Sequence, residues 1–379
     1  MINRIQLDYA KARLFKGKAL IVYGPRQVGK TTFVELLLAQ ELQKTLRLNG
    51  DDADTRELLG NPNVNMLQAL IGDHKILFID EAQRISNVGL LIKIVTDRIK
   101  GVQVIATGSS SFELASHINE PLTGRKYEML LLPFAFQELV TNADFLTESR
   151  QTEQRLIFGA YPEIIINPTD AMEHLKLLAE SYLYKDLFTL DRINKPQLLQ
   201  KIVKALALQV GSEVSVTEIG RLVGADNKTI EKYISLLEMA FVVFTLPALS
   251  RNVRNEIKKG RKIYFYDNGI LNAVTGNFMP LQNRNDVGAL WENYLVSERI
   301  KWQYFQRSQF ANYFWRTTQQ QEIDFIEETP EGLNAFEFKW NNKAQARFPT
   351  TFLNAYPNVK TRVINPNNKH EFLSLQGDN

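Results

Sequence analysis

The sequence predicts an α/β protein built on a parallel sheet with helices on both faces, and three observations predict it. Apolar runs of strand length recur at residues 19–23, 45–49, 75–80, 102–107 and 127–132. Segments with the apolar spacing of helices separate them, so the connections are crossovers longer than a hairpin. The first run ends in Gly24, and Gly29, Lys30 and Thr31 follow at the spacing G-x-x-x-x-G-K-T, just before a helical pattern opens with Phe33, Leu36 and Leu37.

That octet in a strand–loop–helix context is a P-loop. A triphosphate has to be wrapped by backbone N–H groups, and glycines at both ends let the chain turn and approach it closely. Gly24, Pro25, Arg26, Gln27, Val28, Gly29, Lys30, Thr31 and Thr32 are the expected nucleotide-binding residues. The helix that opens at Lys30 points free N–H groups and a positive dipole end at the phosphates. Lys30 adds a point charge for the β- and γ-phosphates, and Thr31 is placed to ligate Mg²⁺.

Ahead of the P-loop, residues 1–18 read as a short helix with a basic solvated face. Residues 45–49 make a second strand, followed by an Asp-rich connection. The run Ile76-Leu77-Phe78-Ile79-Asp80-Glu81 is a buried strand that ends in two carboxylates. Beside a P-loop this is a Walker B pattern, with Asp80 in the Mg²⁺ shell and Glu81 as the base that orients or deprotonates water. The fourth strand ends at Thr107, Gly108 and Ser109, where Thr107 or Ser109 can sense the γ-phosphate. Ser110 and Ser111 serve equally well as helix caps. Arg125, just before the fifth strand, is either a finger for a neighbouring subunit's nucleotide or a surface arginine. Ligand is expected at the carboxyl ends of these strands.

From residue 134 the pattern turns helical. The turn Gly159-Ala160-Tyr161-Pro162 sits where a small lid is expected, and it reads either as an adenine-packing element or as a plain turn. Amphipathic helices follow at 172–188 and 195–211. Two capped helices around 216–223 and 227–237, then strands near 241–246 and 263–267, give the order of a winged helix. The basic run 251–262 would be its wing, read either as a contact to nucleic acid phosphates or as an interaction module. In the last hundred residues, Asp324 lies on one strand and Glu337 and Lys339 on the next. Two carboxylates and a lysine are the parts of a Mg²⁺-dependent phosphodiesterase site, and a cross-strand ion pair would use the same three residues. The expected divisions are 1–133 ATPase core, 134–195 helical lid and connector, 196–280 winged helix, and 281–379 C-terminal domain.

Composition bounds these readings. Among 379 residues there is no cysteine, which excludes disulfides, thiolate nucleophiles and Cys-ligated zinc. The four histidines are scattered, so any metal is a hard ion held by oxygens. A net charge of +3 permits nucleic acid binding without establishing it. No stretch approaches the roughly 18 apolar residues of a membrane span, so a cytoplasmic protein without membrane contact is expected.

Taken together, Gly-Pro-Arg-Gln-Val-Gly-Lys-Thr-Thr, Phe-Ile-Asp-Glu-Ala-Gln, Thr-Gly-Ser-Ser, Leu-Thr-Gly-Arg and Gly-Ala-Tyr-Pro resemble a bacterial and archaeal family of AAA-type ATPases of the additional-strand class, with a winged helix and a C-terminal domain of uncharacterised function. The last domain is similar to the restriction-endonuclease-like superfamily. That resemblance implies a second metal site at Asp324 and Glu337, with Lys339 beside it and Glu292 as the helix acid. It brings no settled biological role; with the P-loop and the winged helix, the expected function is a Mg²⁺-dependent, ATP-hydrolysing, nucleic-acid-associated switch or motor, with ATP and Mg²⁺ as cofactors and DNA or RNA and further copies of the chain as partners. The alternatives are an ATP-gated nuclease and a non-catalytic protein-binding adaptor.

Overall fold

In the computed structural model, five strands form a wholly parallel sheet in the order β2-β3-β4-β1-β5. The structure describes residues 2–109, 122–181, 195–250, 260–308, 310–344 and 346–373. The strands are β1 (Ala19–Tyr23), β2 (Thr45–Asn49), β3 (Ile76–Asp80), β4 (Gln103–Gly108) and β5 (Lys126–Leu130). Helices α1 (Leu7–Lys11), α2 (Lys30–Leu38), α3 (Ala53–Leu59), α4 (Val64–Ile71) and α5 (Val88–Arg98) lie between and before them. Every residue of β1 and β4 is buried, as their unbroken apolar runs require of strands covered on both faces. The edge strand β2 is only partly buried, which is why its apolar residues alternate with Thr45, Arg47 and Asn49. β4 lies between β1 and β3, so the ends of β1, β3 and β4 meet along one edge.

Contacts divide the chain into two units. The first holds residues 1–132 and 239–241, the second 133–238 and 242–379.

The second unit opens with α6 (Phe136–Asn142), α7 (Phe145–Arg150), α8 (Thr152–Phe158), α9 (Pro162–Ile166) and α10 (Ala171–Glu180). After these come α11 (Pro196–Leu208), α12 (Val216–Val223) and α13 (Asn227–Met239). Ser215 caps α12 through the Glu218 N–H, and Gly224 ends it in the left-handed region. Strands β6 (Val243–Pro247) and β7 (Arg261–Phe265) then pair antiparallel. Helix α14 (Asn268–Thr275) and the long α15 (Val287–Gln306) lead to a four-stranded sheet in the order β11-β10-β9-β8. Its strands are β8 (Ala311–Arg316), β9 (Glu322–Thr329), β10 (Gly332–Phe338) and β11 (Lys360–Ile364), with α16 (Thr350–Ala355) and α17 (Lys369–Leu373) beside them. Phe325, Phe336 and Phe338 pack their rings on Phe372 of α17.

The Gly159–Pro162 turn has a local reason. Asp267, the cap of α14, accepts the Ala160 N–H at 2.7 Å, and a Cβ on Gly159 would lie 2.1 Å from that carboxylate. Gly159 also sits at φ +68. Tyr161 is buried, and burial first and Asp267 second push its hydroxyl well above the usual tyrosine range. The plain-turn reading therefore holds for Tyr161, and the adenine-packing expectation gives way: the ring is spent on this unit's own core. Among the described residues no helix is long and apolar enough to cross a membrane.

Candidate nucleotide site and a C-terminal acidic cluster

The loop after β1 runs at the carboxyl edge of the parallel sheet. Gly24 takes φ +146, and a Cβ there would lie 1.9 Å from the Leu131 carbonyl oxygen, so no other residue fits without moving that backbone. Gln27 and Gly29 also have positive φ, +60 and +85, which turns backbone N–H groups of the loop toward one side. Gly29 is the N-cap of α2, so the N–H groups of its first turn have no partner within the helix and are available beside the loop. Pro25, Arg26, Val28 and Thr32 complete the loop and the start of the helix, and Val28 is fully buried beneath it. The Arg4 guanidinium donates to the Val28 carbonyl at 2.5 Å and to the Leu132 carbonyl at 2.9 Å, fixing the loop floor.

Lys30 is buried, and its ammonium donates to the carbonyls of Gly24 and Pro25 at 3.0 and 2.9 Å. One helical residue on, the Thr31 hydroxyl donates to the Asp80 carboxylate at 2.9 Å. The Thr107 hydroxyl donates to the same carboxylate, and the Glu81 N–H donates to Thr107 Oγ1 at 3.2 Å. The structure thus gathers Lys30, Thr31, Asp80, Glu81 and Thr107 from the ends of β1, β3 and β4. Thr31 and Asp80 are a hydroxyl and a carboxylate in direct contact, and this oxygen pair is the donor set a hard cation takes.

Glu81 itself has φ +47, and a Cβ on Gly50 would lie 2.3 Å from its carbonyl oxygen. Its side chain is held by a residue to which sequence reasoning gave no role. Gln83 Nε2 donates to Glu81 Oε2 at 2.6 Å and to Ser109 Oγ at 3.2 Å. The signals for Gln83 were its place two residues beyond Glu81 and its position at the end of the motif Phe-Ile-Asp-Glu-Ala-Gln. Arg125 lies level with the start of β1, and Asp97 takes its Nε at 2.9 Å. The P-loop follows the other end of that five-residue strand, roughly 17 Å away at the usual rise per residue. Arg125 therefore cannot reach its own P-loop.

In the second unit, Asp324, Glu337, Lys339 and Glu292 come near one another, with residues the sequence had not assigned to them. Against β8, strand β9 carries an extra residue: Tyr313 pairs with Ile326 and Trp315 with Ile323, a bulge that contains Asp324. Asp324 Oδ2 accepts the Phe338 N–H at 2.8 Å and lies 3.9 Å from the Lys339 ammonium. Lys339 donates to Glu337 at 2.7 Å. Glu292, on α15, accepts from Lys262 at 3.0 Å and from the Tyr264 hydroxyl at 2.6 Å. Lys262 also pairs with Glu322, and Arg316 approaches Glu322 at 3.7 Å.

Burial raises Glu292 to about 7, with Asp324 adding to it and Lys262 opposing it. Burial likewise raises Asp324 and Glu337, and Asp324 pushes Glu337 further. For Lys262, burial pulls the ammonium down, yet Glu292, Glu322 and Asp324 together hold it well above the ordinary lysine value. Lys262 was counted in the sequence with a basic wing over phosphates. That is corrected: its side chain is fully buried, and Arg261 is taken by Glu231 at 2.8 Å. The rest of that run, 251–259, lies outside the described residues, as do Ser110 and Ser111. Among the described residues no three His, Cys, Asp or Glu side chains are grouped to hold a metal ion. As they stand, with ammonium groups among the acids, these residues do not fit a divalent metal.

A parallel sheet with a glycine-bounded phosphate loop and a carboxylate pair at its carboxyl edge defines a P-loop NTPase fold, a nucleotide-binding domain of the ATPase type. Residues 16–140 match the family model described as "AAA domain". Residues 149–280 and 287–376 match two families described as domains of unknown function, DUF8612 and DUF4143. Over 331 residues the chain is 24% identical to an uncharacterized protein of Mycobacterium tuberculosis, covering 86% of this chain and 71% of that one. It is 24% identical over 339 residues to an uncharacterized protein of Methanocaldococcus jannaschii, covering 83% and 73%. Among solved structures, the Pif1 helicase of Candida albicans matches with a TM-score of 0.26 and 14% identity, covering 47% of this chain and 48% of that one. A likeness of that degree carries no argument about this chain.

Proposed function

We propose that the first unit binds ATP with Mg²⁺ and hydrolyses it. The observation that carries this reading is the Asp80 carboxylate in contact with both the Thr31 and Thr107 hydroxyls, beside a glycine-bounded loop that leads into α2. In this reading backbone N–H groups from Gly24 to Thr32 cradle the phosphates, and Lys30 turns from its two carbonyls to meet them. Thr31 and Asp80 would hold the Mg²⁺, which when bound neutralises charge on the β- and γ-phosphates. Glu81 takes the proton of the attacking water, and Thr107 links the Asp80 carboxylate to the Glu81 backbone, so both acids answer to one hydroxyl. Arg125, excluded from its own nucleotide by distance, is left either as a finger toward a neighbouring copy's nucleotide, in which case the working form is an oligomer, or as a surface arginine paired with Asp97.

The helices α12 and α13 followed by the β6–β7 ribbon support a winged helix, and with it an association with DNA or RNA. Steady-state ATP hydrolysis with Mg²⁺, with and without duplex or single-stranded DNA, tests the reading alongside Lys30→Ala and Glu81→Gln. Turnover lost in both variants, with ATP still bound by Glu81→Gln, is the expected result. Tight binding without turnover in the unmodified chain would instead favour the adaptor reading. Mg²⁺-dependent cutting of nucleic acid that survives Lys30→Ala and is lost in Lys339→Ala would favour the nuclease reading.

A further inference from the structure

Two of the C-terminal acids, Glu292 and Glu322, come together around a cation that the chain supplies itself. Lys262 reaches in from β7, some 30 residues before Glu292 and 60 before Glu322, with its side chain fully buried. Its ammonium has Glu292 Oε1 at 3.0 Å, the Glu322 carboxylate beside it, and the Phe314 ring centroid at 5.5 Å, within cation–π range. We infer that the Lys262 ammonium is the resident cation of Glu292 and Glu322, an internal plug that occupies these two carboxylates and holds a divalent metal away from them.

Three further observations support the plug. The strand that carries it is anchored: Lys262 pairs with Leu246 in the β6–β7 register and bridges to Glu213 on its other side. The Arg261 carbonyl accepts the Val214 N–H at 2.8 Å, and a Cβ on Gly260 would lie 1.7 Å from the Glu213 carboxylate, so β7 runs tightly between its neighbours. The acids around it are partly met by cations, with Arg316 shared between Glu322 and Glu213. Glu292, Glu322, Asp324 and Glu337 stand beside Lys262, Lys339 and Arg316. A divalent ion needs carboxylates whose charge is not already met, and the Tyr264 hydroxyl takes one further acceptor position on Glu292.

The inference is independent of the P-loop reading, and its test is run with that site disabled. In the full-length Asp80→Asn chain without nucleotide, Mn²⁺ is titrated and binding is read by electron paramagnetic resonance and by the melting temperature. All four tryptophans lie between residues 291 and 340, so their fluorescence reports this unit. The expected result is no Mn²⁺ bound with Lys262 present, and no Mn²⁺-induced rise in melting temperature. Lys262→Met in the same background is expected to melt lower and to recover several degrees with millimolar Mn²⁺, while Lys262→Arg stays unresponsive. Mn²⁺ bound in the presence of Lys262 and lost on Glu322→Gln overturns the plug. So does a folded Lys262→Met protein that ignores Mn²⁺. Should Lys262→Met not fold, the charge-balanced pair Lys262→Met with Glu292→Gln takes its place, read against the same Mn²⁺ outcomes.

Discussion

The nucleotide site of the first unit and the acid cluster of the second both gather carboxylates, one at strand ends and the other from a helix and two strands, and they are dressed in opposite ways. Asp80 is met by the Thr31 and Thr107 hydroxyls, and Glu81 by the Gln83 amide. Glu292, Glu322 and Glu337 are met by the ammonium groups of Lys262 and Lys339. Hydroxyls and amides hold a carboxylate in place without cancelling its charge, which leaves it able to take a cation from outside. Ammonium groups hold and cancel at once. The same residue types therefore serve a ligand in one place and the fold in the other.

The largest expected effect separates the two sites by function. Lys30→Ala should lower ATP affinity at least a hundredfold, as read by fluorescent-nucleotide titration, and leave tryptophan-reported melting within a degree or two. Glu81→Gln should keep that affinity and lower turnover by about 10²–10⁴, the usual worth of a general base. Nucleotide affinity unchanged in Lys30→Ala would break the comparison at its first term.

The two sites were not equally legible in the sequence. The P-loop is local: Gly24 to Thr32 are contiguous, and each glycine is demanded by its own backbone, so the octet carried the geometry with it. The acid cluster is assembled from β7, α15, β9 and β10, and only its C-terminal members share a short pattern. Lys262 sat in a run rich in Lys and Arg, where composition suggests solvent, and nothing local could say that β7 would pass beside Glu292. The bulge that contains Asp324 was invisible for the same reason, since it exists only against β8. The Gly159–Pro162 turn was seen, but its two readings stayed open, because what decides between them for Tyr161, the contact with Asp267, lies more than a hundred residues away.

Next in size is the second site taken as structure. Lys262→Ala removes the ammonium from Glu292, which is mostly shielded, and from Glu322, which is part-exposed and keeps Arg316 nearby; breaking a wholly buried pair costs about 3–5 kcal/mol, and the loss here should fall at or below the lower end of that range. Chemical denaturation followed by tryptophan fluorescence should register that loss. A loss under 1 kcal/mol would mean that the cluster is solvated in practice and the contrast with the P-loop overdrawn.

A smaller effect depends on pH. Glu292 binds its proton more tightly folded than unfolded, rising from 4.5 to about 7. The folded state thus carries the extra proton between those values, and stability falls as pH rises through that window, by on the order of 3 kcal/mol for this group before solvent relaxation. Lys262, Tyr264 and Asp324 face the carboxyl and shape that shift. In Glu292→Gln the corresponding slope should vanish, so the difference in melting temperature between the two proteins should grow in favour of the variant from pH 5 to pH 8. A difference independent of pH would sink the assignment.

The finest test returns to the first site and to Gln83. Its amide is the neutral donor that fixes the Glu81 carboxylate, and Ser109 anchors the amide in turn. A single hydrogen bond of this kind contributes about 1 kcal/mol net, so Gln83→Ala should lower kcat roughly three- to tenfold with KM for ATP unchanged. The residue touches no substrate in this account and acts only by orienting the base. Gln83→Glu sharpens the point, because it sets a second carboxylate against Glu81 and should make kcat rise with falling pH where Gln83→Ala does not. If Gln83→Ala instead raised KM and spared kcat, the amide would belong to nucleotide binding, and neutral donors at this edge would be serving the phosphates rather than the acid.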